Sequence, residues 1–157
     1  MGNGRHSGET AVRVRYGEVD RMGVVHHSHY LAYFEQGRTE LLRSFGTSYR
    51  ELEDSGTLLV VVESGLRFLK PAAYDDLLTV RTRLVSATGV RLRFEYEVLR
   101  DGSLLATGFT VLASTDRTGR PRRPPAPFRE LLGEPAEPPA ADPGKSRAAG
   151  AVQGRRP

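Results

Sequence analysis

The stretch Tyr16-Gly17-Glu18-Val19-Asp20-Arg21-Met22-Gly23-Val24-Val25-His26-His27-Ser28-His29-Tyr30 joins two segments of different hydrophobic period. Before it, Ala11-Val12-Arg13-Val14-Arg15-Tyr16 alternates at period two, the pattern of a half-buried strand. After it, Tyr30, Leu31, Phe34, Leu41, Leu42 and Phe45 recur at three- and four-residue steps, with Gly37 and Arg38 filling the gap on that stripe. This spacing predicts a helix of about sixteen residues, roughly 24 Å long, with Ser28 as N-cap and Gly46 as stop. Glycine is a poor helix former, so Gly37 predicts a close approach of the helix to the surface beneath it. Between strand and helix, Asp20 stands just ahead of three of the chain's four histidines. An acid, three imidazoles and a helix N-terminus together point to hydrolysis.

Four more strands are predicted downstream. Residues 58–69 are largely apolar, with Glu63-Ser64-Gly65 a predicted bend or bulge. Residues 77–85 follow the turn Lys70-Pro71-Ala72-Ala73. Then Val90, Leu92, Phe94, Tyr96 and Val98 alternate with Arg91, Arg93, Glu95 and Glu97, giving a strand with one buried and one wet face. Asp101-Gly102 predicts a hairpin turn. It leads into residues 104–113, where Leu105, Thr107, Phe109 and Val111 share one face and Ala106, Gly108 and Thr110 the other. The order is strand, loop, one long helix, four strands: an α+β fold. One helix cannot cover both faces of a five-stranded antiparallel sheet, but it can fill the concave side of a curved one. The far face or an edge then meets water or another subunit, which predicts a homodimer, with a dimer of dimers as the larger assembly.

The 157 residues fit one domain. The chain has no cysteine, which excludes disulfides, thiolate metal sites and cysteine nucleophiles. The longest wholly apolar run, residues 58–62, is far short of a membrane span, and the first residues do not resemble a secretion signal. A cytoplasmic protein is expected. Its formal charge of +4 belongs to the tail: residues 117–157 carry nine Arg or Lys against four acids, whereas residues 1–116 carry 14 against 15. A core near neutrality argues against a nucleic-acid binder. Nine of the ten prolines also lie in residues 121–157. The expected organisation is a flexible N-terminus over residues 1–9, a domain over 10–118, and a disordered Pro/Gly/Ala/Arg-rich tail over 119–157, with Phe128, Leu131 and Leu132 able to dock locally.

Tyr16, Asp20, Gly23, Val24, Val25, His27, Tyr30, Phe34, Glu35 and Arg38 fall in register with a known pattern, and Leu66-Arg67-Phe68-Leu69-Lys70-Pro71-Ala72 with Asp76 and Leu77 resembles its second signature. Over residues 10–116 the chain resembles a hotdog-fold acyl-CoA thioesterase of the 4-hydroxybenzoyl-CoA thioesterase-like superfamily. The resemblance implies a curved five-stranded antiparallel sheet wrapped around one long helix, and hydrolysis of an acyl-CoA thioester to free acid and coenzyme A without a further cofactor. It departs from the pattern at Glu18-Val19, where Asp-Thr is common, and at His26 and His29.

By this resemblance Asp20 supplies the catalytic carboxylate, as nucleophile or as general base, and the key oxyanion donor is the His27 backbone N–H. Unpaired N–H groups of Val25 to His27 at the helix start suit an oxygen that gains charge. The His27 imidazole could also position water or shuttle a proton. Gly23, Val24, Val25, Tyr30 and Phe34 are assigned to the oxyanion loop and acyl pocket, with Leu59 and Val61 as further lining. Glu63 and Ser64 are expected to complete a partner's site across the dimer. Arg67, Lys70, Arg91 and Arg93 lie on predicted solvent-side faces, where they suit coenzyme A phosphates or an acidic carrier protein. Glu35 and Arg38 suit a local ion pair. His26, His27 and His29 with Asp20 could instead hold a metal, but adjacent side chains diverge and the spacing is not that of two histidines on one helix face, so no metal is expected. Two other readings remain at this point: an acyl-carrier-protein thioesterase of polyketide or fatty-acid metabolism, and a non-catalytic ligand-binding protein of the same fold.

Overall fold

The computed structural model describes residues 6–131. Along it run β1 (Ser7–Arg13), a 3-10 turn (Tyr16–Glu18), α1 (His29–Ser44), α2 (Tyr49–Asp54), β2 (Leu58–Phe68), β3 (Leu77–Thr88), β4 (Arg91–Arg100), β5 (Ser103–Thr115) and α3 (Ala126–Leu131). The strands form one sheet in the order β1-β3-β4-β5-β2, with every neighbouring pair antiparallel. β3, β4 and β5 are joined by short hairpins. At the β4–β5 turn Asp101 and Gly102 both take positive φ, the backbone that Asp-Gly favours between right-twisted strands. β1 and β2 are the edges. No helix among the described residues is long and apolar enough to cross a membrane.

α1 lies on the inner face of the sheet. Tyr30, Tyr33, Phe34, Leu41 and Leu42 are buried beneath it, against Val12, Leu78, Val80, Leu92, Phe94, Tyr96 and Val98 of the strands. Phe34 stacks on Tyr96, with ring centroids 4.2 Å apart and planes inclined by 5°. The small residues of β5 face the helix for a packing reason: a Cβ at Gly108 would strike the Phe34 ring. Gly37 serves the same purpose on the helix side, since a Cβ there would strike Thr82 Oγ1 and stand 3.0 Å from Val80 Cγ1. Both obstacles belong to β3, a strand paired on both sides, so neither can retreat cheaply. Gly37→Leu is therefore expected to destabilise by at least the 1–3 kcal/mol typical of an overpacked core, about the upper end or beyond. A denaturant midpoint within error of wild type would refute this packing.

Several expectations need correction. β1 starts at Ser7, ahead of the expected boundary at residue 10, because Ser7, Gly8 and Glu9 pair across to Arg83, Thr82 and Arg81. That pairing is non-local and leaves no trace in local period. Tyr16 leaves the strand for the 3-10 turn. Within α1 the buried face carries Tyr33, whereas Leu31 is 40% exposed. α2 is additional, capped where the Ser48 side chain accepts the Glu51 N–H at 3.3 Å. A bulge is present, but at Val62, as a register shift between Val61 and Glu63, while the expected Glu63-Ser64-Gly65 pairs regularly with Val111, Thr110 and Phe109.

The start of the expected tail is part of the domain. Arg122 N–H bonds the Ser114 carbonyl at 2.9 Å, and α3 drives Phe128 to 1% exposure, edge-on to Phe94. The remaining calls on the N-terminus and tail, at residues 1–5 and 132–157, lie outside the described residues.

Candidate active site

Residues 19–25 fold into a miniature hairpin. Asp20 N–H bonds Val24 O at 3.0 Å, Gly23 N–H bonds Asp20 O at 2.9 Å, and Val19 bridges Val25. Gly23 occupies the left-handed position, φ +76°, that closes the turn. The Asp20 carboxylate uses Oδ1 to accept the Met22 N–H at 2.8 Å. Oδ2 has no partner among the described residues, and the side chain is only half-buried. Asp20 is thus fixed in direction with one oxygen free.

The outer leg of this hairpin docks on the second sequence signature. Val25 N–H bonds Ala72 O at 2.8 Å, and Val24 bridges Ala73. That turn is pinned in its own right: Asp76 Oδ2 accepts the Ala73 N–H at 2.8 Å and Arg100 Nη1 at 2.6 Å. Partial burial pushes the Asp76 carboxyl up, but the Ala73 N–H and the Arg100 guanidinium outweigh it and hold the acid below its ordinary range. A pKa lowered on folding contributes stability above the unfolded value, and that stability is lost as pH falls through the folded one. Asp76→Asn is accordingly expected to lose less of its thermal stability than wild type between about pH 6 and about pH 3. Melting curves that fall in parallel over this range would contradict the assignment.

These bonds decide which backbone donors remain. Val25 N–H is spent on Ala72, and His26 N–H on Glu18 O at 2.9 Å. Of the three candidate donors only the His27 N–H is without an acceptor among the described residues. It stands just before α1, where helix N–H groups have no intrahelical partner. Ser28 occupies the N-cap position but does not cap: its Oγ lies 2.8 Å from His26 Nδ1 instead. The His27 ring is exposed and rests on His26, with centroids 4.0 Å apart, and His26 meets His29 edge-on.

Tyr30 is 2% exposed and packs edge-on against Phe68 at the end of β2. Phe34 is fully buried and belongs to the core stack rather than to an open pocket. Glu63 and Ser64 are exposed on edge strand β2, some four or five residues from Phe68, roughly 15 Å along the strand. Within one chain they do not join Asp20.

The four basic residues do not form a single cluster within one chain. Arg67 lies opposite Thr107 and Arg91 opposite Ala113, six residues apart on β5 and so about 20 Å. Arg91 is at the end of the sheet away from Phe68. Arg93 is engaged, with its guanidinium 4.1 Å above the Phe109 ring and 3.6 Å from Glu95. Lys70 donates to Ser103 Oγ at 2.8 Å, and Arg67 has no partner among the described residues. A broad open groove of about 1700 Å³ crosses the outer sheet face past Arg67, Arg81, Arg83, Arg93 and Phe109, but neither Asp20 nor His27 lines it. The Glu35–Arg38 pair is present at 3.5 Å, and Arg38, though buried, also bonds Tyr49 Oη at 3.1 Å.

Residues 14–141 match the model of the thioesterase-like superfamily. The chain belongs to this superfamily. It is a thioesterase with the hotdog fold, and the reading as a non-catalytic binding protein falls. It is 34% identical over 106 residues to the acyl-CoA thioesterase YbgC of Haemophilus influenzae, covering 67% of this chain and 78% of that one. It is 31% identical over 125 residues to the chloroplastic acyl-acyl carrier protein thioesterase ATL3 of Arabidopsis thaliana, covering 77% and 65%. The crystal structure of a probable thioesterase from Bartonella henselae superposes with a TM-score of 0.72 at 35% identity, covering 76% of this chain and 99% of that one.

Two residues at this thioesterase's site were not singled out as functional from sequence. Glu18 is 5% exposed, with Oε2 accepting the Arg15 N–H at 2.8 Å and the Tyr33 hydroxyl at 2.8 Å. Its Oε1 accepts Arg15 Nε at 3.0 Å. Burial pushes its carboxyl up, but the Arg15 N–H, the Tyr33 hydroxyl and the Arg15 guanidinium prevail, so it ionises below its ordinary value. Burial and the bond to Glu18 push the Tyr33 hydroxyl up, which keeps it a donor. The available signal was the departure at Glu18 from the family pattern.

Proposed function

We propose that this thioesterase hydrolyses an acyl-CoA ester to free acid and coenzyme A, with Asp20 and the His27 backbone N–H acting on the thioester carbonyl. Two observations carry this reading: the Asp20 carboxylate has one oxygen free among the described residues, and of the three candidate donors ahead of α1 only the His27 N–H is unspent there. The oxygen that gains negative charge would receive the His27 N–H. The Asp20 carboxylate then has two routes. It can add to the carbonyl carbon and expel the thiolate, leaving a mixed anhydride that water cleaves to free acid and regenerated carboxylate. Or it can take a proton from a water molecule that attacks the carbon, and the thiolate leaves with that proton. The acyl-CoA substrate of YbgC supports the first choice of leaving group. The carrier-protein substrate of ATL3 supports the second reading, hydrolysis of an acyl carrier protein.

Site completion is proposed to require a second copy. The β2 edge is unpaired and presents Val60, Val61 and Val62, each about half exposed. An unpaired apolar edge is a template for another strand. Pairing there would bring the partner's Glu63 and Ser64 to the interface and leave Arg67 and Lys70, on the Phe68 end of β2, as the cations placed for coenzyme A phosphates.

The test is release of free thiol from acetyl-, hexanoyl-, palmitoyl- and benzoyl-CoA, set against the same acyl groups on an acyl carrier protein, with sedimentation for the assembly. Turnover of at least one CoA ester is expected. Cleavage of carrier-protein substrates alone would move the assignment to the second reading, and no cleavage of either would overturn it.

A further inference from the structure

We propose that Glu18 and Tyr33 are a positioning pair that sets the separation between the Asp20 carboxylate and the His27 N–H. This rests on the catalytic reading above and adds two residues to it. Glu18 is tied to both halves of the site through different atoms. Its own chain leads directly to Asp20, two residues on, and its carbonyl holds the His26 N–H at 2.9 Å. That bond orients the peptide immediately before the His27 donor. Its carboxylate then reaches Tyr33, in the second turn of α1, at 2.8 Å. One residue thus links the Asp20 loop, the donor peptide and the helix that follows the donor.

A folding anchor alone would not need this arrangement. Arg15 supplies three donors to Glu18, from its backbone N–H and from Nε and Nη2 of its exposed guanidinium, at 2.8, 3.0 and 2.9 Å. Those satisfy the buried charge. The Tyr33 hydroxyl is the bond that fixes the loop relative to α1, and Tyr33 is itself 2% exposed and braced against Tyr30 at 5.7 Å. A carbonyl carbon must meet Asp20 while its oxygen meets the His27 N–H, so a drift of the loop along the helix separates the two contacts. Misplacement by about 1 Å can cost about a hundredfold in rate.

The experiment compares steady-state kinetics of wild type, Asp20→Asn, Tyr33→Phe, Glu18→Gln and Glu18→Ala on the CoA ester of the four-member panel that wild type cleaves fastest. Melting temperatures are measured in parallel. Tyr33→Phe removes one hydroxyl and leaves Glu18 its Arg15 donors, so the protein folds. Its kcat is expected to fall about tenfold to a hundredfold with KM little changed. Glu18→Gln, which keeps an acceptor for Tyr33, is expected to retain more kcat than Glu18→Ala. Adding Tyr33→Phe to Glu18→Ala should cost little more, since both break one link. A Tyr33→Phe enzyme with wild-type kcat and only a lowered melting temperature would make the pair structural and overturn the proposal, even while Asp20→Asn is inactive. Undiminished Asp20→Asn would instead overturn the catalytic reading. If Glu18→Ala does not fold, Tyr33→Phe decides alone.

Discussion

Asp20→Asn is expected to lower kcat by about a thousandfold, within the range for a missing general base or nucleophile, while leaving KM and the melting temperature near wild type. The geometry separates chemistry from structure at this residue. Oδ1 makes the structural bond, accepting the Met22 N–H, and an Asn carbonyl oxygen can take that bond over. The hairpin also rests on backbone bonds from Asp20 to Val24 and from Gly23 to Asp20, which the substitution does not touch. What Asn lacks is the negative charge on the free oxygen, and both routes of hydrolysis need it. Single-turnover and steady-state rates on the best substrate, with a melting curve for each protein, provide the check. A variant that loses activity only because it unfolds would make Asp20 a loop anchor, and one that keeps activity would remove it from the mechanism.

Phe128→Ala is expected to cost about 3–5 kcal/mol of folding stability, lowering Tm by on the order of 10 °C. This position sits in the Pro/Arg-rich stretch whose composition predicts disorder, yet Phe128 is buried edge-on against Phe94 in the main core. Truncation after Thr118 should be more damaging still, because it also removes the Arg122 N–H to Ser114 bond and the Pro121 bridge to Thr115. Chemical denaturation of the full-length protein and the variant measures the difference. A midpoint unchanged by Phe128→Ala would mean that α3 is a passive attachment.

The contrast between α1 and α3 shows what the amino-acid pattern can carry. α1 was legible because sixteen residues repeat one apolar face, and even its weak point, Gly37, announced the contact with Thr82 and Val80. The β4–β5 hairpin was legible for a similar reason, with alternation over residues 90–98 leading to the turn signal Asp101-Gly102, although the register shifts between Val98 and Leu99 beside it. α3 is under two turns long, too short for any period, and prolines before it speak for an extended chain. β1 failed at its start because Ser7 to Thr10 have little strand character of their own and are ordered by β3. α2 carries a signal of its own in the sequence, Ser48 followed three residues later by Glu51.

The site was legible in part. The helix N-terminus and Asp20 are adjacent in sequence, so their proximity follows from the loop length alone. The resemblance alone pointed to His27 among the three backbone donors; the physical reason lies in the structure, where Val25 and His26 are occupied by Ala72 and by Glu18, one of them forty-seven residues away. The basic residues read as one group are spread along the sheet, and Arg93 is held by Glu95 and Phe109. Strand alternation assigns a face to such residues but says nothing of how far apart they lie along it.

The pairing of Asp20 with the His27 N–H is tested most directly by a crystal structure of Asp20→Asn bound to the intact acyl-CoA that wild type hydrolyses fastest. The thioester oxygen is predicted to lie within hydrogen-bond distance of the His27 backbone nitrogen, about 2.7–3.1 Å, with the carbonyl carbon facing residue 20. A thioester bound in the outer-face groove by Arg67 and Phe109, or one whose oxygen receives a different donor, would contradict the assignment.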